Sequence, residues 1–179
     1  MGRPSLSAAP EGEVSARAGE PTDPDLLRRH LQGDPDAFRS LFRRHKQELW
    51  AVAIRLLGDA GLTAEAIQDA MILAFWNGPE FGGGDALTTW LYRIVVSVCV
   101  DRMRRCPPPS GDGDVMAALR HLVVEQQSAL VLVDMLGFSV ADAAAILGVS
   151  ADTLLSRCAR GRVRLLTELR STRARAHIR

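Results

Sequence analysis

The sequence predicts an all-α protein of two small helical modules joined by a short linker rich in proline and glycine. Apolar residues recur at three- and four-residue steps, which is the spacing of the buried face of a helix. No segment shows the sustained alternation of apolar and polar residues that marks a strand. Residues 106–114 (CPPPSGDGD) interrupt the helical pattern, because prolines followed by glycines and aspartates cannot continue a helix. A chain of 179 residues, 47% of them hydrophobic, is long enough for two small cores.

The first 22 residues are rich in proline, glycine, serine, alanine and glutamate and have little to bury, so residues 1–22 are predicted to form a disordered tail. This tail lacks the apolar run of a signal peptide, and no later segment is apolar enough to span a bilayer. The three cysteines are widely spaced and odd in number, which argues against a disulfide framework or a zinc site. We therefore expect a protein of the reducing cytoplasm.

The first module is predicted to span residues 23–105 and to contain four helices. Asp23-Pro24 opens the first helix as a cap followed by a first-turn proline, and Gly33 closes it. Asp34-Pro35 repeats this pattern and opens a longer helix, which Gly58 ends. The third and fourth helices are predicted at about 63–77 and 87–105, separated by a glycine-rich loop.

The second module is predicted at residues 115–170, with helices near 115–121 and 125–136 leading into a helix-turn-helix. Gly148 can adopt the left-handed conformation that ends the first helix of this motif, and Ser150 is a natural N-cap for the second. Ala144 is small where the helices cross, and Leu154 supplies an apolar anchor. The last helix is predicted to end near Arg170, followed by a basic tail at 171–179.

The outward face of the last helix carries residue types that contact DNA bases and phosphates. The candidates are Ser150, Asp152, Thr153, Ser156, Arg157 and Arg160. The net charge of +1 conceals a strong asymmetry, because eight arginines and one acidic residue follow position 156. An ordinary helical hairpin with a solvated face is the alternative interpretation.

Four segments together resemble the two modules of bacterial extracytoplasmic-function (ECF) sigma factors, in the order found in that family. They are DPDAFRSLFRRH, RLLGDAGLTAEAIQDAMILAFW, TTWLYRIVVSVCVDRMRR and EQQSALVLVDMLGFSVADAAAILGVSADTLLSRCARGRVRLL. The segments VDMLG and SRCARGR most resemble the sigma-M-type subgroup of actinobacteria. The resemblance implies a bacterial cytoplasmic protein that is no enzyme and that binds core RNA polymerase at the beta-prime clamp and the beta flap. It also implies that the first module recognises the minus-ten promoter element, that the second module reads the minus-thirty-five element through the six candidates of the last helix, and that an anti-sigma factor controls the protein.

The resemblance assigns roles to residues of the first module. Gln68 and Asp69 match the family's polymerase-binding pair, and Met71 stands nearby where phenylalanine is common. The loop 81–86 matches the family's specificity loop, in which Phe81 could stack on a flipped base and Asp85 could accept a hydrogen bond. The minus-ten surface would further include Arg93, Ser97, Asp101, Arg102, Arg104 and Arg105.

Structural explanations for the same residues remain open. The polymerase-binding pair could be a solvated helix face, and Phe81 could be a core anchor for a plain connector. The arginines at the end of the fourth helix could be a solvated basic terminus that the helix dipole favours.

Two other function classes fit the sequence less well. A stand-alone helix-turn-helix regulator would use its N-terminal helices for dimerisation or ligand sensing and would bind a palindromic site without polymerase. An enzyme is disfavoured, because His30, His45, His121 and His177 lack metal-ligand spacing and no glycine-rich phosphate loop follows a strand. We therefore predict no catalytic residue, metal, cofactor or small-molecule substrate, and expect His30 and His45 on helix surfaces.

Overall fold

A computed structural model describes residues 20–81, 86–105 and 114–176, and within these ranges the chain is helical without any strand. The first four helices are α1 (Asp23–Leu31), α2 (Pro35–Leu57), α3 (Ala60–Asn77) and α4 (Leu87–Arg105), with a 3-10 turn at Gly78–Glu80. The next four are α5 (Asp114–Arg120), α6 (Val124–Leu130), α7 (Val140–Leu147) and α8 (Ala151–Ala176), and a π-helical turn, Val131–Met135, continues α6. The predicted all-α class is confirmed. Most of the predicted tail and linker, together with Asp85, lies outside the described residues.

Side-chain caps set the beginnings of the first three helices. The hydroxyl of Thr22 accepts a hydrogen bond from the backbone of Asp25, whose carboxylate accepts one from the backbone of Thr22. Thr22 is therefore the N-cap of α1, and the prediction that Asp23 caps it was wrong. Asp34 caps α2 as predicted, through bonds of 3.0 and 3.3 Å to two backbone amides. Asp59 caps α3, which therefore begins before the predicted start at residue 63.

The core of the first domain forms where α2, α3 and α4 pack together. Three alanines of α3, Ala66, Ala70 and Ala74, follow one another at four-residue steps and are buried. Small side chains on one face of a helix let its neighbours approach closely. This packing fixes α3 and α4 side by side and so determines which of their residues face solvent.

His45 is buried in this core, which contradicts the prediction of a surface position. Its side chain is 1% exposed, and its Nε2 lies 2.7 Å from a carboxylate oxygen of Asp23. Arg44 also binds the Asp23 carboxylate. His45 follows the buried Leu41 by four residues and precedes Leu49 by four, so the helical register places it on the core side of α2.

The second domain contains the predicted helix-turn-helix. Gly148 is left-handed, with φ of 63°, and the hydroxyl of Ser150 accepts a 3.2 Å bond from the Thr153 amide at the start of α8. Leu154 is fully buried. Helix α8 continues past the predicted end near Arg170 to Ala176, because neither glycine nor proline follows to stop it.

Gly161 allows α8 to lie close to α6. A Cβ atom at this position would lie 3.0 Å from a methyl carbon of Leu130. A larger residue here would require the Leu130 side chain to shift by a few tenths of an ångström. The glycine therefore lets α8 pack closely on α6.

The two domains pack against each other through α4 and α7, and one continuous buried core extends through both. The guanidinium of Arg93 donates a 3.1 Å hydrogen bond to the carbonyl of Ala145. The sequence predicted two modules and a linker but gave no indication of this contact. None of the described helices combines the length and the apolar content needed to cross a membrane.

Candidate nucleic-acid and polymerase interfaces

The six residues predicted to contact the minus-thirty-five element lie together at the N-terminal end of α8. Asp152, Thr153, Ser156 and Arg160 are exposed, and Arg157 is half-buried. The sixth, Ser150, uses its hydroxyl in the helix cap and also shares a 2.8 Å hydrogen bond with the Thr153 hydroxyl. A helix that presents donors and acceptors at its N-terminal end can enter a major groove.

An ion pair that the sequence did not reveal holds α8 in place. The guanidinium of Arg162 donates two hydrogen bonds to the carboxylate of Asp134, from Nε at 2.9 Å and from Nη2 at 2.6 Å. This bidentate pair ties α8 to the π-helical turn after α6. Cys158, on the inner side of α8, is buried, and burial raises the pKa of its thiol.

The residues predicted to contact the minus-ten element lie along α4, and most of them face solvent. Ser97, Asp101, Arg104 and Arg105 are exposed. The Ser97 hydroxyl donates to the Ile94 carbonyl at 2.8 Å, and Arg105 donates to the backbone carbonyl of Asp101 at 3.3 Å. These local bonds leave an exposed helix face with two cationic side chains at its C-terminal end.

Arg102 points away from this face and joins α4 to α3. Its guanidinium donates to Glu65 at 2.8 Å and to Asp69 at 2.5 Å. These bonds, to Asp69 first and then to Glu65, raise the pKa of Arg102. The sequence assigned Arg102 to DNA and Asp69 to polymerase, whereas the structure pairs the two side chains with each other.

Phe81 packs against the first domain. Its ring lies 5.6 Å from the ring of Trp90, centroid to centroid, and is partly buried against the core. This geometry agrees with the alternative of a core anchor for the loop. The other loop candidate, Asp85, lies outside the described residues.

An open apolar groove adjoins the predicted polymerase-binding residues on α3. Gln68 and Asp69 are exposed and Met71 is half-buried. The groove of about 290 Å³ is lined by Pro35, Phe38, Arg39, Met71, Ile72, Phe75 and Trp76. Trp76 is 71% exposed, an unusual state for so large an apolar side chain.

Aromatic contacts hold the floor of the groove in position. Phe75 meets Phe38 edge to face at 5.3 Å and Trp76 edge to face at 5.4 Å. The His30 ring lies 4.5 Å from the Phe75 ring in a tilted arrangement, and its Nε2 lies 3.1 Å from the carbonyl oxygen of Phe75. Ile72, Phe75 and Trp76 were not predicted as surface residues. Their signal was the apolar run at 70–76, which covers every side of the C-terminal part of α3 although only one side can face the core.

The described residues contain no group of three or more histidine, cysteine, aspartate or glutamate side chains that could hold a metal ion. The candidate functional surfaces among the described residues are the α3 groove, the α4 face and the N-terminal end of α8.

Comparison with protein families identifies both domains. Residues 41–106 match the model of sigma-70 region 2, and residues 112–165 match the model of sigma-70 region 4. The ECF RNA polymerase sigma factor SigM of Mycobacterium tuberculosis H37Rv is 42% identical over 165 residues, covering 82% of this chain and 84% of the relative. The ECF RNA polymerase sigma-E factor of Escherichia coli K12 is 35% identical over 54% of this chain and 51% of its own length.

Solved structures show the same architecture. CnrH in complex with the cytosolic domain of CnrY superposes with a TM-score of 0.64 at 24% identity, covering 83% of this chain and 97% of that one. The sigma factor RpoE of Bartonella quintana, in complex with the anti-sigma factor NepR, superposes with a TM-score of 0.58 at 28% identity, covering 74% of this chain and 96% of that one. The likenesses to SigM and to RpoE favour a sigma factor over a stand-alone regulator. The chain belongs to the ECF RNA polymerase sigma factors of the sigma-70 family.

Proposed function

We propose that this ECF sigma factor docks on core RNA polymerase through the α3 groove and directs the polymerase to promoters through α4 and α8. One observation carries the proposal: a single chain exposes an apolar groove on α3 and, on two further helices, arginine-bearing faces. A stand-alone regulator needs a DNA-binding face but has no need of a second nucleic-acid surface beside an apolar docking groove.

The polymerase surface comprises Gln68, Asp69 and Met71 together with the groove residues Ile72, Phe75 and Trp76. Preformed aromatic anchors surrounded by polar residues are typical of the energetic centre of a protein interface. The exposed carboxylate of Asp69 suits a basic partner surface. The partner is the beta-prime clamp, and the second domain meets the beta flap, as the family resemblance implies.

The minus-ten element is bound by α4 and the loop before it. Arg93, Arg104 and Arg105 neutralise phosphates, while Ser97 and Asp101 contact the melted strand. Phe81 and Asp85 belong to the loop that holds a flipped base. Arg102 contributes as a positioning residue, since its guanidinium is held by two carboxylates of α3.

The minus-thirty-five element is bound in the major groove by the N-terminal end of α8. Arg157 and Arg160 supply base or phosphate contacts. Asp152, Thr153 and Ser156 contact base edges, and Ser150 lies beside them at the start of the helix. The bidentate Arg162 pair supports the rigidity that such recognition requires.

The domain organisation we propose has a tail (1–22), a polymerase and minus-ten domain (23–105), a linker (106–114), a minus-thirty-five domain (115–170) and a basic end (171–179). The chain itself carries no catalytic chemistry and uses no cofactor or small-molecule substrate. It acts in the bacterial cytoplasm, where polymerase is found. An anti-sigma factor controls it, a proposal supported by the similar sigma factor RpoE, which was solved in complex with the anti-sigma factor NepR.

Run-off transcription with core RNA polymerase on a library of genomic promoter fragments tests this function. We expect transcripts that require the protein and that share two sequence elements. The matched control is the Trp76→Ala variant. It keeps the DNA-binding faces but weakens docking on polymerase, so it should support less transcription than the wild-type chain. DNA footprints by the protein alone, without any protein-dependent transcript, would overturn the proposal in favour of a stand-alone regulator.

A further inference from the structure

The inner face of α8 offers little resistance to rotation of this helix about its own axis. Leu154 is fully buried near the N-terminal end, but the next two inward positions are the small Cys158 and Gly161, which has no side chain. Leu165, one turn further along, is only partly buried. Interlocking side chains fix the rotation of one helix against another, and small residues remove that interlocking. The rotation of α8 must therefore be set largely from outside this face.

The ion pair between Arg162 and Asp134 lies at the side of α8, where it opposes such rotation. Arg162 follows the inward-facing Gly161, so it is turned by about 100° from that position at about 3.6 residues per turn. Its guanidinium donates to one carboxylate from both Nε and Nη2. Two parallel hydrogen bonds fix the direction of the guanidinium as well as its position. Rotation of α8 in either direction would lengthen or bend these bonds.

The carboxylate of this pair belongs to the π-helical turn Val131–Met135. The amide of Leu136 donates a 3.0 Å hydrogen bond to the carbonyl of Val131, five residues earlier, whereas an α-helix joins residues four apart. The turn thus contains one residue more than an α-helical turn, which shifts its side chains around the helix axis. Val131 and Leu132 are fully buried, so the turn that carries Asp134 is anchored in the core. The pair therefore fixes α8 relative to the core of its own domain.

Orientation explains this pair better than stability does. The side chains of Arg162 and Asp134 are 53% and 35% exposed, and ion pairs between such groups contribute little to stability because water competes for them. Base recognition depends far more steeply on geometry. Side chains reach about 5–6 Å from a helix axis, so a rotation of about 10–20° moves their ends by about 1–2 Å. A binding site tolerates only about 0.5 Å.

We propose that the Asp134–Arg162 pair sets the rotation of α8 and thereby the base preference within the minus-thirty-five element, without either side chain touching DNA. Both are positioning residues for the N-terminal end of α8, and the inference rests on the proposed function, which assigns that end to DNA. Loss of the pair widens the range of α8 orientations. Base contacts then weaken, whereas phosphate contacts, which carry no sequence information, persist. The signature is reduced base discrimination at an unchanged salt dependence.

The test measures base preference with holoenzyme assembled from core RNA polymerase and the full-length chain. The DNA is a promoter fragment obtained by run-off transcription, with the positions of its minus-thirty-five element randomised. Sequencing of the bound fraction gives the preference for each base at each position. We expect the wild-type holoenzyme to favour one base by about tenfold or more at the positions that α8 contacts.

Two single variants and their combination test the pair. Asp134→Ala removes the acceptor, and Arg162→Lys keeps the positive charge but lacks the planar group that donates two parallel bonds. Each is expected to reduce base discrimination about fivefold. The double variant should lose no more than either single variant, because both remove the same interaction. Arg164→Lys makes the same replacement at another exposed arginine of α8 and is the matched control, with base preference unchanged.

Two further measurements separate positioning from other roles of Arg162. If Arg162 bound a phosphate, Arg162→Ala would reduce the slope of log K against log salt by about 1, whereas positioning leaves the slope unchanged. If the pair served only stability, base preference would be unaffected in chains that remain folded. We expect the thermal unfolding midpoint of each single variant to fall by less than about 4 °C.

Three results would overturn the inference while leaving the proposed function intact. They are wild-type base preference in both single variants, losses that multiply in the double variant, and a salt slope reduced by about 1 in Arg162→Ala. A wild-type holoenzyme without any base preference in the minus-thirty-five element would instead refute the proposed function, and the inference with it.

Discussion

Replacing Trp76 by alanine should separate docking on polymerase from stability of the fold. The side chain is 71% exposed at the edge of the α3 groove. A tryptophan can bury about 240 Å², so about 170 Å² is available to a partner. If docking removes half of that area from water, about 85 Å² at about 25 cal/mol per Å² contributes about 2 kcal/mol. Trp76→Ala should therefore weaken binding of core polymerase about thirtyfold.

The assay is a titration of the fluorescently labelled chain with core RNA polymerase, followed by fluorescence anisotropy, with thermal unfolding measured in parallel. Because the side chain is mostly exposed, the free energy of unfolding should change by less than about 1 kcal/mol. Val115→Ala, which truncates a 49% exposed apolar residue on α5, is the matched control and should leave the dissociation constant unchanged. A dissociation constant for Trp76→Ala within twofold of wild type would refute docking through this groove.

Three further predictions concern the DNA-binding domain and the buried ion pairs. Leu154→Ala should lower the free energy of unfolding by about 2–5 kcal/mol in urea denaturation, because it leaves a cavity behind the recognition helix. Arg160→Ala should weaken binding of the holoenzyme to a promoter fragment and reduce the slope of log K against log salt by about 1. Asp23→Asn should cost about 3 kcal/mol at pH 7, because it leaves the Arg44 and His45 side chains without their carboxylate. Burial raises the pKa of Asp23, but His45 and Arg44 together hold it below its usual value of 3.8. The stabilisation is therefore present above pH 3.8 and disappears as pH falls through the lower pKa of the folded state.

Each of these variants has a control on the same element or of the same chemistry. Leu155→Ala removes an exposed leucine beside Leu154 and should change stability by less than about 0.5 kcal/mol, and equal losses would contradict the anchoring role. The control for Arg160→Ala is Arg170→Ala, which lies on α8 away from its N-terminal end and should leave the slope of log K against log salt unchanged. An equal reduction of the slope by both variants would contradict the assignment of DNA binding to the N-terminal end of α8. Asp36→Asn alters an exposed pair. A stability difference between Asp23→Asn and wild type that does not narrow as pH falls below 3.8 would contradict the assigned charge effect.

The sequence by itself determined the helix-turn-helix and several helix boundaries. Gly58 and Gly148 end their helices in left-handed conformations, and Asp34 and Ser150 cap the helices that follow them, as the sequence predicted. These features depend on side-chain caps and backbone conformations that involve residues within about one helical turn. Such features involve only neighbouring residues, so the sequence is sufficient to predict them. The sequence also carried the resemblance to the ECF family, which the comparisons with known proteins confirmed.

Only the tertiary structure decided what several site residues contact. Arg102 meets acidic residues 33 and 37 positions away, and Arg93 meets a carbonyl 52 positions away. The sequence could place both arginines on the wetter side of α4, but it could not choose among their partners, because that choice depends on which helices pack beside α4. For the same reason it could not show that Trp76 remains exposed. Local periodicity determines which face a residue occupies on its own helix, whereas the packing of the other helices determines whether that face meets the core, another domain or solvent.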